Sequence, residues 1–227
     1  MKPLLCLSFS IVAGLTTATV SSLRAADATV DQLIKKLPPP EKVEKTDPAS
    51  RDPLLKQIVA SAKAMNFGNA YAMSQKLAVK YPQSAGAQSL HGQLALALKR
   101  YPEAAGAFHR AISVQPDFAF PYLGLALTDS AQNRFNAALG DFRQVTRLSP
   151  NSDIGWIGLS ACSEKLGRKR DSLDYARRAT NAAPSSFAAW LQLAREEGVS
   201  GNQQAATQAM TRANQLHRSA SKRSPGH

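Results

Sequence analysis

Apolar, small and polar positions recur along most of the chain with one spacing. Four prolines follow one another at intervals of 34 residues: Pro82, Pro116, Pro150 and Pro184. Repeats of this length are typical of stacked helix-turn-helix units, and proline ends a helix because it lacks the backbone N–H. With proline at position 32 of each unit, the pattern predicts five frames, which begin at Arg51, Ala85, Ala119, Asp153 and Phe187.

The apolar and small positions predict two helices in each frame. The first helix carries large apolar side chains at positions 4 and 7: Tyr122, Trp156, Trp190, Leu125, Leu159 and Leu193. The second helix carries a large side chain at position 24: Phe108, Phe142 and Met210. Positions 8 and 20 hold mostly Ala, Gly or Ser, which lets two helices approach closely. These stripes predict one continuous core that joins each hairpin to its neighbours.

These positions make the chain similar to the tetratricopeptide repeat (TPR) superfamily over residues 51–220, most closely in the third and fourth frames. The resemblance implies an all-α fold, a right-handed superhelical solenoid of about five TPR-like helix-turn-helix repeats. Ile58 replaces the small residue in the first frame, and Gln88 and His91 replace the aromatic residue and the leucine in the second. We therefore expect a looser amino-terminal hairpin. TPR solenoids bind many unrelated partners, so the resemblance predicts the fold more specifically than the function.

The amino-terminal residues 1–25 have the pattern of an export signal. Lys2 precedes an apolar run over residues 4–20, and we place the cleavage after Ala25. The alternative is a membrane anchor that stays uncleaved, but the run is short and rich in Ser and Thr. The pattern predicts a protein that is periplasmic or secreted after cleavage near Ala25.

Segments of different character are predicted on either side of the array. Residues 26–50 form a proline-rich linker, in which three consecutive prolines favour an extended spacer. A short helix at its start would place four apolar side chains on one side: Val30, Leu33, Ile34 and Leu37. The last helix of the array is largely polar, as expected of a unit that closes a solenoid. Residues 221–227 are predicted to be a basic disordered tail.

The net charge and the cysteine content exclude few classes of function. The chain has 28 Lys and Arg residues against 16 Asp and Glu residues, which gives a net charge of +12. It has two cysteines, and Cys6 lies in the predicted signal. The mature chain would then hold a single thiol, Cys162, and no intramolecular disulfide. We expect Cys162 to be an inert core residue.

The residues that carry chemistry are not arranged like a known type of catalytic site. The sequence Gly158-Leu159-Ser160-Ala161-Cys162 approaches the G-x-S-x-G motif of hydrolases, but its fifth residue is Cys and Ser160 falls inside a predicted helix. We expect the Ser160 hydroxyl to bond a backbone carbonyl of that helix. None of the four histidines has a partner histidine at i, i+4, so no pair of metal ligands is expected. The pattern predicts no enzyme, no metal site and no cofactor.

In TPR arrays, positions 2, 5, 9 and 12 of the first helices line the concave face. The resemblance therefore predicts a largely apolar groove, whose candidate partner-binding residues are Phe120, Leu123, Leu127, Ile154, Ile157, Leu191 and Arg195. A helix or an extended apolar segment of another protein would fit such a groove. The alternatives are that these side chains pack against neighbouring first helices, or are covered by residues 30–37 or by a second copy of the protein.

Basic side chains concentrate on the second helices, at positions 25, 26 and 29. They predict a basic ridge on the convex face: Arg110, Arg143, Arg147, Arg177, Arg178 and Arg212. Such a ridge would attract anionic lipid or an acidic polymer, whereas nucleic acid is not an expected partner of an exported chain. The alternative is a face that is charged only for solubility.

The sequence therefore favours a non-catalytic protein-protein interaction scaffold of the bacterial envelope, whose apolar concave groove binds a segment of a partner protein. One alternative is an adaptor that binds an anionic polymer or a membrane surface through the basic ridge. Another is an accessory subunit of an envelope assembly complex. A homo-oligomer is compatible with each of these hypotheses.

Overall fold

The computed structural model describes residues 47–223, with side chains up to residue 219. The predicted signal, residues 26–46 of the predicted linker and the last four residues of the predicted tail lie outside the described residues. Within them the chain is all-α, with no strand. A short 3-10 helix, Pro48–Arg51, precedes α1 (Pro53–Lys63), α2 (Phe67–Lys80), α3 (Ala85–Ala97), α4 (Tyr101–Val114), α5 (Ala119–Ala131), α6 (Phe135–Leu148), α7 (Asp153–Lys165), α8 (Lys169–Ala182), α9 (Phe187–Val199) and α10 (Gln203–Arg223).

Consecutive helices pair into five hairpins, which pack in chain order into a solenoid. Four of the five predicted frames begin at the first residue of a helix, and only α1 begins two residues late, at Pro53. The predicted all-α solenoid is therefore confirmed. The last helix continues to Arg223, so residues 221–223, which we assigned to the disordered tail, are helical in the structure.

Local capping explains where several helices begin. The hydroxyl of Ser84 accepts a hydrogen bond from the Ala87 backbone N–H at 2.9 Å, and Ser186 caps α9 in the same way through Ala189 at 3.2 Å. Both serines occupy the last position of a frame, two residues after the proline. A serine that caps the next helix, placed just after a proline that ends the previous one, sets the helix boundary from local sequence alone.

The turn inside each hairpin needs one residue in the left-handed region of backbone conformation. This residue is at position 15 of every frame: Met65, Lys99, Asn133, Gly167 and Gly201, with φ between 58° and 82°. Glycine adopts this conformation without strain, and asparagine adopts it more readily than most residues. The residues at position 15 of the last three repeats therefore suit this turn better than Met65 and Lys99 do in the first two repeats.

The large residues at position 24 hold successive hairpins together. Phe108 and Phe142 are 0% and 1% exposed, and each ring lies over a glycine at position 6 of the next repeat. A Cβ at Gly124 would lie 2.3 Å from the Phe108 ring, and one at Gly158 would lie 2.2 Å from the Phe142 ring. Met210, which we predicted as the equivalent core residue, is 38% exposed. The prediction was wrong for Met210 because no repeat among the described residues packs over it.

The aromatic residues at position 4 have a second role besides packing. They are half-buried, and each donates a hydrogen bond to the carbonyl of the preceding repeat's proline. These bonds run from Tyr122 to Pro116 (3.1 Å), from Trp156 to Pro150 (3.5 Å) and from Trp190 to Pro184 (2.8 Å). At these three junctions a hydrogen bond thus joins the proline that ends one repeat to the aromatic residue at position 4 of the next.

The two amino-terminal hairpins, where the repeat pattern is weakest, are joined by polar and aromatic contacts. His91 is buried, its ring centroid lies 4.9 Å from that of Tyr71, and its Nδ1 lies 3.1 Å from the Ser74 hydroxyl. Burial lowers the pKa of His91, and the positive charge of Arg110 lowers it further. His91 therefore fills the position of the missing leucine as a neutral packing residue.

Candidate functional site

The first helices form a continuous row. Helix α3 contacts α5, α5 contacts α7 and α7 contacts α9, whereas successive second helices approach one another less closely. In a curved stack the elements on the inner side are the closer ones, so the first helices lie on the concave side. We call the side of this row formed by positions 2, 5, 9 and 12 the first-helix face.

The seven predicted groove residues differ in how far they are exposed on this face. Three are buried: Leu123 is 7% exposed, Leu127 is 0% and Ile157 is 2%. Ile157 packs in a core cluster with Ala179 and Ala189. These three residues are therefore buried among the described residues, and their part in binding a partner stays a prediction.

The other four predicted groove residues are half-buried: Phe120, Ile154, Leu191 and Arg195. Phe120 packs edge-on against Phe108 at 6.4 Å and stacks on Phe118 at 6.0 Å between ring centroids. Phe120 is thus fixed in place while part of its surface stays exposed. The exposed apolar part of the first-helix face comes from three successive repeats. Whether it binds a partner stays a prediction.

One ion pair interrupts this apolar surface. Arg195 at position 9 of the last frame donates to Glu164 at position 12 of the frame before, and their side chains are 18% and 20% exposed. The second carboxylate oxygen of Glu164 is buried and has no hydrogen-bond partner among the described residues. Partial burial strengthens such a pair relative to one in water. The pair therefore places two paired charges at the carboxyl-terminal end of the first-helix face.

A buried polar cluster next to this ion pair was not predicted. Gln192 donates to the Ser160 hydroxyl at 3.0 Å and to Glu196 at 2.9 Å, and Ser172 donates to the Ser160 carbonyl at 2.9 Å. Glu196 is only 1% exposed. Loss of water around the carboxylate is the main reason that the pKa of Glu196 is raised. The only sequence signal was the presence of serine at both small positions, 8 and 20, of the fourth frame.

Ser160 is not arranged as a nucleophile. It is fully buried, and its hydroxyl lies 3.2 Å from that of Ser172 and accepts from Gln192. We expected a bond to a carbonyl of its own helix, but the structure pairs it with α8 and α9 instead. Cys162 is 3% exposed and lies 3.5 Å from the Ser130 hydroxyl, and burial raises the pKa of its thiol.

The six predicted ridge residues are all exposed, but only some of them keep an unbalanced charge. Arg177 pairs with the nearly buried Glu197 at 2.8 Å, and Arg178 pairs with Asp174 at 2.8 Å. Arg147 bonds the neutral Gln144 at 2.9 Å, and Arg143 has no carboxylate partner among the described residues. Arg143 and Arg147 on α6 therefore keep positive charges that no carboxylate among the described residues balances.

The ends of the ridge bond neutral side chains. Arg110 donates to Gln88 at 2.9 Å, and Arg212 donates to Gln215 at 3.4 Å. The described residues contain no group of three or more His, Cys, Asp or Glu side chains that would hold a metal ion. Among the described helices, none is both long and apolar enough to cross a membrane.

Comparison with known proteins identifies the class of fold. No protein-family model matches the chain, and no curated protein sequence matches it. Solved structures do match. MamA from Desulfovibrio magneticus RS-1 superposes with a TM-score of 0.63 and 13% identity, over 73% of this chain and 94% of that chain. TTC0263, described as a thermophilic TPR protein in Thermus thermophilus, gives a TM-score of 0.60 and 15% identity over 72% and 89%.

A third similar structure is YrrB, described as a TPR protein with an unusual peptide-binding site. Its TM-score is 0.55 and its identity 15%, over 74% of this chain and 87% of that chain. The chain thus has the fold of a TPR solenoid, and the resemblance inferred from the repeat positions is confirmed. At these identities the likeness concerns the fold alone.

Proposed function

We propose that this protein is a non-catalytic scaffold of the bacterial envelope that binds a segment of a partner protein on its first-helix face. The observation that carries the proposal is the half-buried apolar surface of Phe120, Ile154 and Leu191. These side chains come from three successive first helices, in which Leu123 and Ile157 are buried. A partner thus meets a firm apolar surface that spans several repeats.

The energetics favour an apolar segment as the partner. Complete burial of a Leu, Ile or Phe side chain contributes about 1.5 to 3 kcal/mol relative to full exposure, and half-buried side chains contribute the remaining part of that. Association also costs free energy, so these three residues supply part of the affinity, and further contacts of the partner supply the rest. The proposal is supported by the fold shared with YrrB, whose description names a peptide-binding site.

The ion pair of Arg195 and Glu164 makes one end of the apolar surface different from the other. An apolar strip alone would accept a segment in either orientation and in several registers. A polar pair at its carboxyl-terminal end favours partners that place a polar group there, since a polar group that loses water without a partner is costly. The location in the envelope rests on the export pattern of residues 1–25.

A double variant tests the proposal. Ile154→Glu with Leu191→Glu places two charges on the half-buried surface, and we expect at least a tenfold loss of the partner recovered by affinity capture from an envelope extract. The matched control is Arg143→Glu with Arg147→Glu, which changes exposed residues of α6. Circular dichroism should show both variants folded. If the Ile154→Glu, Leu191→Glu variant recovered as much partner as the unaltered protein, the first-helix face would be excluded as the binding surface.

A second candidate function rests on Arg143 and Arg147. These two exposed arginines stand one turn apart on α6 without a carboxylate partner, so they are suited to bind an anionic envelope polymer or membrane surface. Such binding would weaken steeply with salt and would be lost in the Arg143→Glu, Arg147→Glu variant. Binding to anionic vesicles that is insensitive to salt would exclude it. The same capture experiment would also reveal an envelope assembly complex.

A further inference from the structure

The turns inside the hairpins lie along one edge of the solenoid. Each first helix runs to such a turn, the second helix runs back, and the hairpins stack in chain order. Neighbouring turns also contact one another, since Arg168 at position 16 of the fourth frame donates a hydrogen bond to Asn136 at position 18 of the third, at 3.1 Å. The Arg100 guanidinium lies over the Tyr71 ring of the preceding hairpin, 4.5 Å from its centroid. We call positions 13–19 of the five frames the turn edge.

The turn edge is more basic than the opposite edge. It comprises residues 63–69, 97–103, 131–137, 165–171 and 199–205, which hold eight basic residues and two acidic ones. The connections between hairpins lie at the opposite edge and comprise residues 79–86, 113–120, 147–154 and 181–188, which hold two of each. An anionic partner is therefore attracted to the turn edge rather than to the opposite one.

Part of this positive charge is not balanced within the described chain. Two arginines of the turn edge are paired with acidic side chains, Arg100 with Glu103 at 2.9 Å and Arg134 with Asp129. Four other cations of the turn edge are exposed and have no carboxylate partner among the described residues: Lys99, Arg168, Lys169 and Arg170. They come from the second and fourth hairpins, so a partner that neutralises all four extends over several repeats.

Exposed apolar side chains lie on the same edge. Met65 is 72% exposed, and Leu98, which directly precedes Lys99, is 36% exposed. Met65 and Lys99 both occupy position 15, with φ of 59° and 58°. This left-handed conformation is unfavourable for long side chains, and the last three hairpins have Asn or Gly there. A methionine and a lysine at this position do not help the turn to form, which indicates that their side chains act outside the fold.

The combination of cations and exposed apolar side chains distinguishes between anionic partners. A soluble polyanion binds the cations but gains little from Met65 and Leu98, because it offers no apolar region. The surface of an anionic bilayer offers both, since charged headgroups attract Lys and Arg and the acyl boundary beneath them accepts apolar side chains. A lipid surface is therefore the partner whose chemistry matches the whole edge.

We propose that the turn edge binds the surface of an anionic membrane. Its four unbalanced cations lie against the phosphate groups of the lipids, and Met65 and Leu98 enter the headgroup layer. This surface is distinct from the first-helix face and from Arg143 and Arg147 of the basic ridge. The inference therefore goes beyond the proposed function, and it fails or holds independently of a protein partner.

Sedimentation with lipid vesicles tests the role of the charges in the protein as cells accumulate it. We expect binding to vesicles of about one third phosphatidylglycerol and two thirds phosphatidylcholine, and at least tenfold weaker binding to phosphatidylcholine alone. Lys169→Glu with Arg170→Glu should weaken binding to the anionic vesicles at least tenfold. Helix α8 should stay folded in this variant, because acidic residues are favourable in the first turn of a helix.

The matched control is Arg143→Glu with Arg147→Glu, which makes the same change of charge on α6 and should leave vesicle binding within about twofold. Loss of binding in this control while the Lys169→Glu, Arg170→Glu variant binds normally would overturn the inference in favour of the basic ridge. Equal binding to anionic and neutral vesicles would also overturn it, and so would no binding to either.

A second pair of variants tests the apolar side chains. Met65→Ser with Leu98→Ser should weaken binding to the anionic vesicles at least threefold and leave binding to polyphosphate unchanged. The matched control is Val79→Ser with Met210→Ser, since Val79 and Met210 are 76% and 38% exposed but lie outside the turn edge. This control should bind the vesicles like the unaltered protein. Undiminished vesicle binding by the Met65→Ser, Leu98→Ser variant would contradict insertion and indicate a site for a soluble polyanion instead.

Discussion

The middle of the array and its carboxyl-terminal junction fill positions 24 and 6 of successive hairpins differently. In the middle, Phe108 lies over Gly124 and Phe142 lies over Gly158. Between the fourth and fifth hairpins the same two positions hold Ala176 and Gln192, both buried. The larger of the two side chains thus lies on the second helix in the middle of the array and on the following first helix at the carboxyl-terminal junction.

This exchange changes the chemistry of the junction as well as its shape. A phenylalanine needs only space, whereas the buried amide of Gln192 needs hydrogen-bond partners, which Ser160 and Glu196 supply. The middle of the solenoid is thus held by packing, and the carboxyl-terminal junction by a polar cluster that includes a buried carboxyl. The comparison teaches that one repeat pattern accommodates two kinds of interface, provided that the volume at the two positions together is kept.

The largest expected effect comes from removing a middle phenylalanine. Phe108→Ala should lower the free energy of unfolding by about 3 to 5 kcal/mol, since it leaves a cavity between the second and third hairpins. Met210→Ala is the matched control at the same repeat position, and we expect it to cost less than about 1 kcal/mol because Met210 is partly exposed. Urea unfolding measures both. Equal losses would show that position 24 has no special role in the middle.

Filling the glycine opposite a phenylalanine should have the next largest effect. In Gly158→Ala the new methyl group would overlap the Phe142 ring, and we expect a loss of about 1 to 3 kcal/mol. Gly140→Ala is the control, because a Cβ at Gly140 has no atom within 4 Å apart from its chain neighbours and the backbone of its own helix. That substitution inside α6 should stabilise the protein by about 0.5 to 1 kcal/mol. Thermal melts of the two variants should therefore shift in opposite directions.

A smaller, pH-dependent effect is expected at the polar junction. Burial raises the pKa of Glu196 in the folded state above its unfolded value of 4.5, so between those two values the folded protein binds more protons than the unfolded chain. Stability contributed by the protonated carboxyl is present below 4.5 and is lost as the pH rises through the folded pKa. Each unit by which the pKa is raised corresponds to about 1.4 kcal/mol. Glu196→Gln should remove this loss.

The control for Glu196 is a carboxyl with the opposite behaviour. A hydrogen bond from the exposed Arg100 lowers the pKa of Glu103, so its contribution to stability is lost as the pH falls, not as it rises. Denaturant midpoints measured from pH 4 to pH 8 should rise for Glu196→Gln relative to the unaltered protein as the pH increases. Glu103→Gln should show no such rise. If the denaturant midpoints of both variants changed with pH in the same way, the stability of the junction would not depend on the charge of Glu196.

Local signals made the fold predictable. The proline that ends one helix and the aromatic residue that bonds its carbonyl lie within six residues of each other, so the frame could be defined without any tertiary contact. The fit of Phe142 to Gly158 depends on two residues in different hairpins, and no local pattern shows it. Gln192 and Glu196 were missed for a similar reason, since polar residues on a helix usually indicate a solvated side.

The exposure of the candidate-site residues could not be predicted from the sequence. The repeat frame identified the residues of the first-helix face, yet it could not separate Leu127, which is fully buried, from Leu191, which is not. That difference depends on how closely neighbouring helices approach. The basic ridge was likewise assigned from spacing, whereas the partner of Arg177 is Glu197 on the following hairpin. Charge balance between hairpins is a tertiary property.

The central claim is that the first-helix face holds a segment of a partner protein. Photo-cross-linking tests it most directly, with a photoreactive amino acid placed in living cells at position 154 or 191, and at position 143 on the basic ridge for comparison. We predict that one partner polypeptide is cross-linked from positions 154 and 191 and that it is absent from position 143. Cross-linking from position 143 alone, or from none of the three positions, would contradict the account.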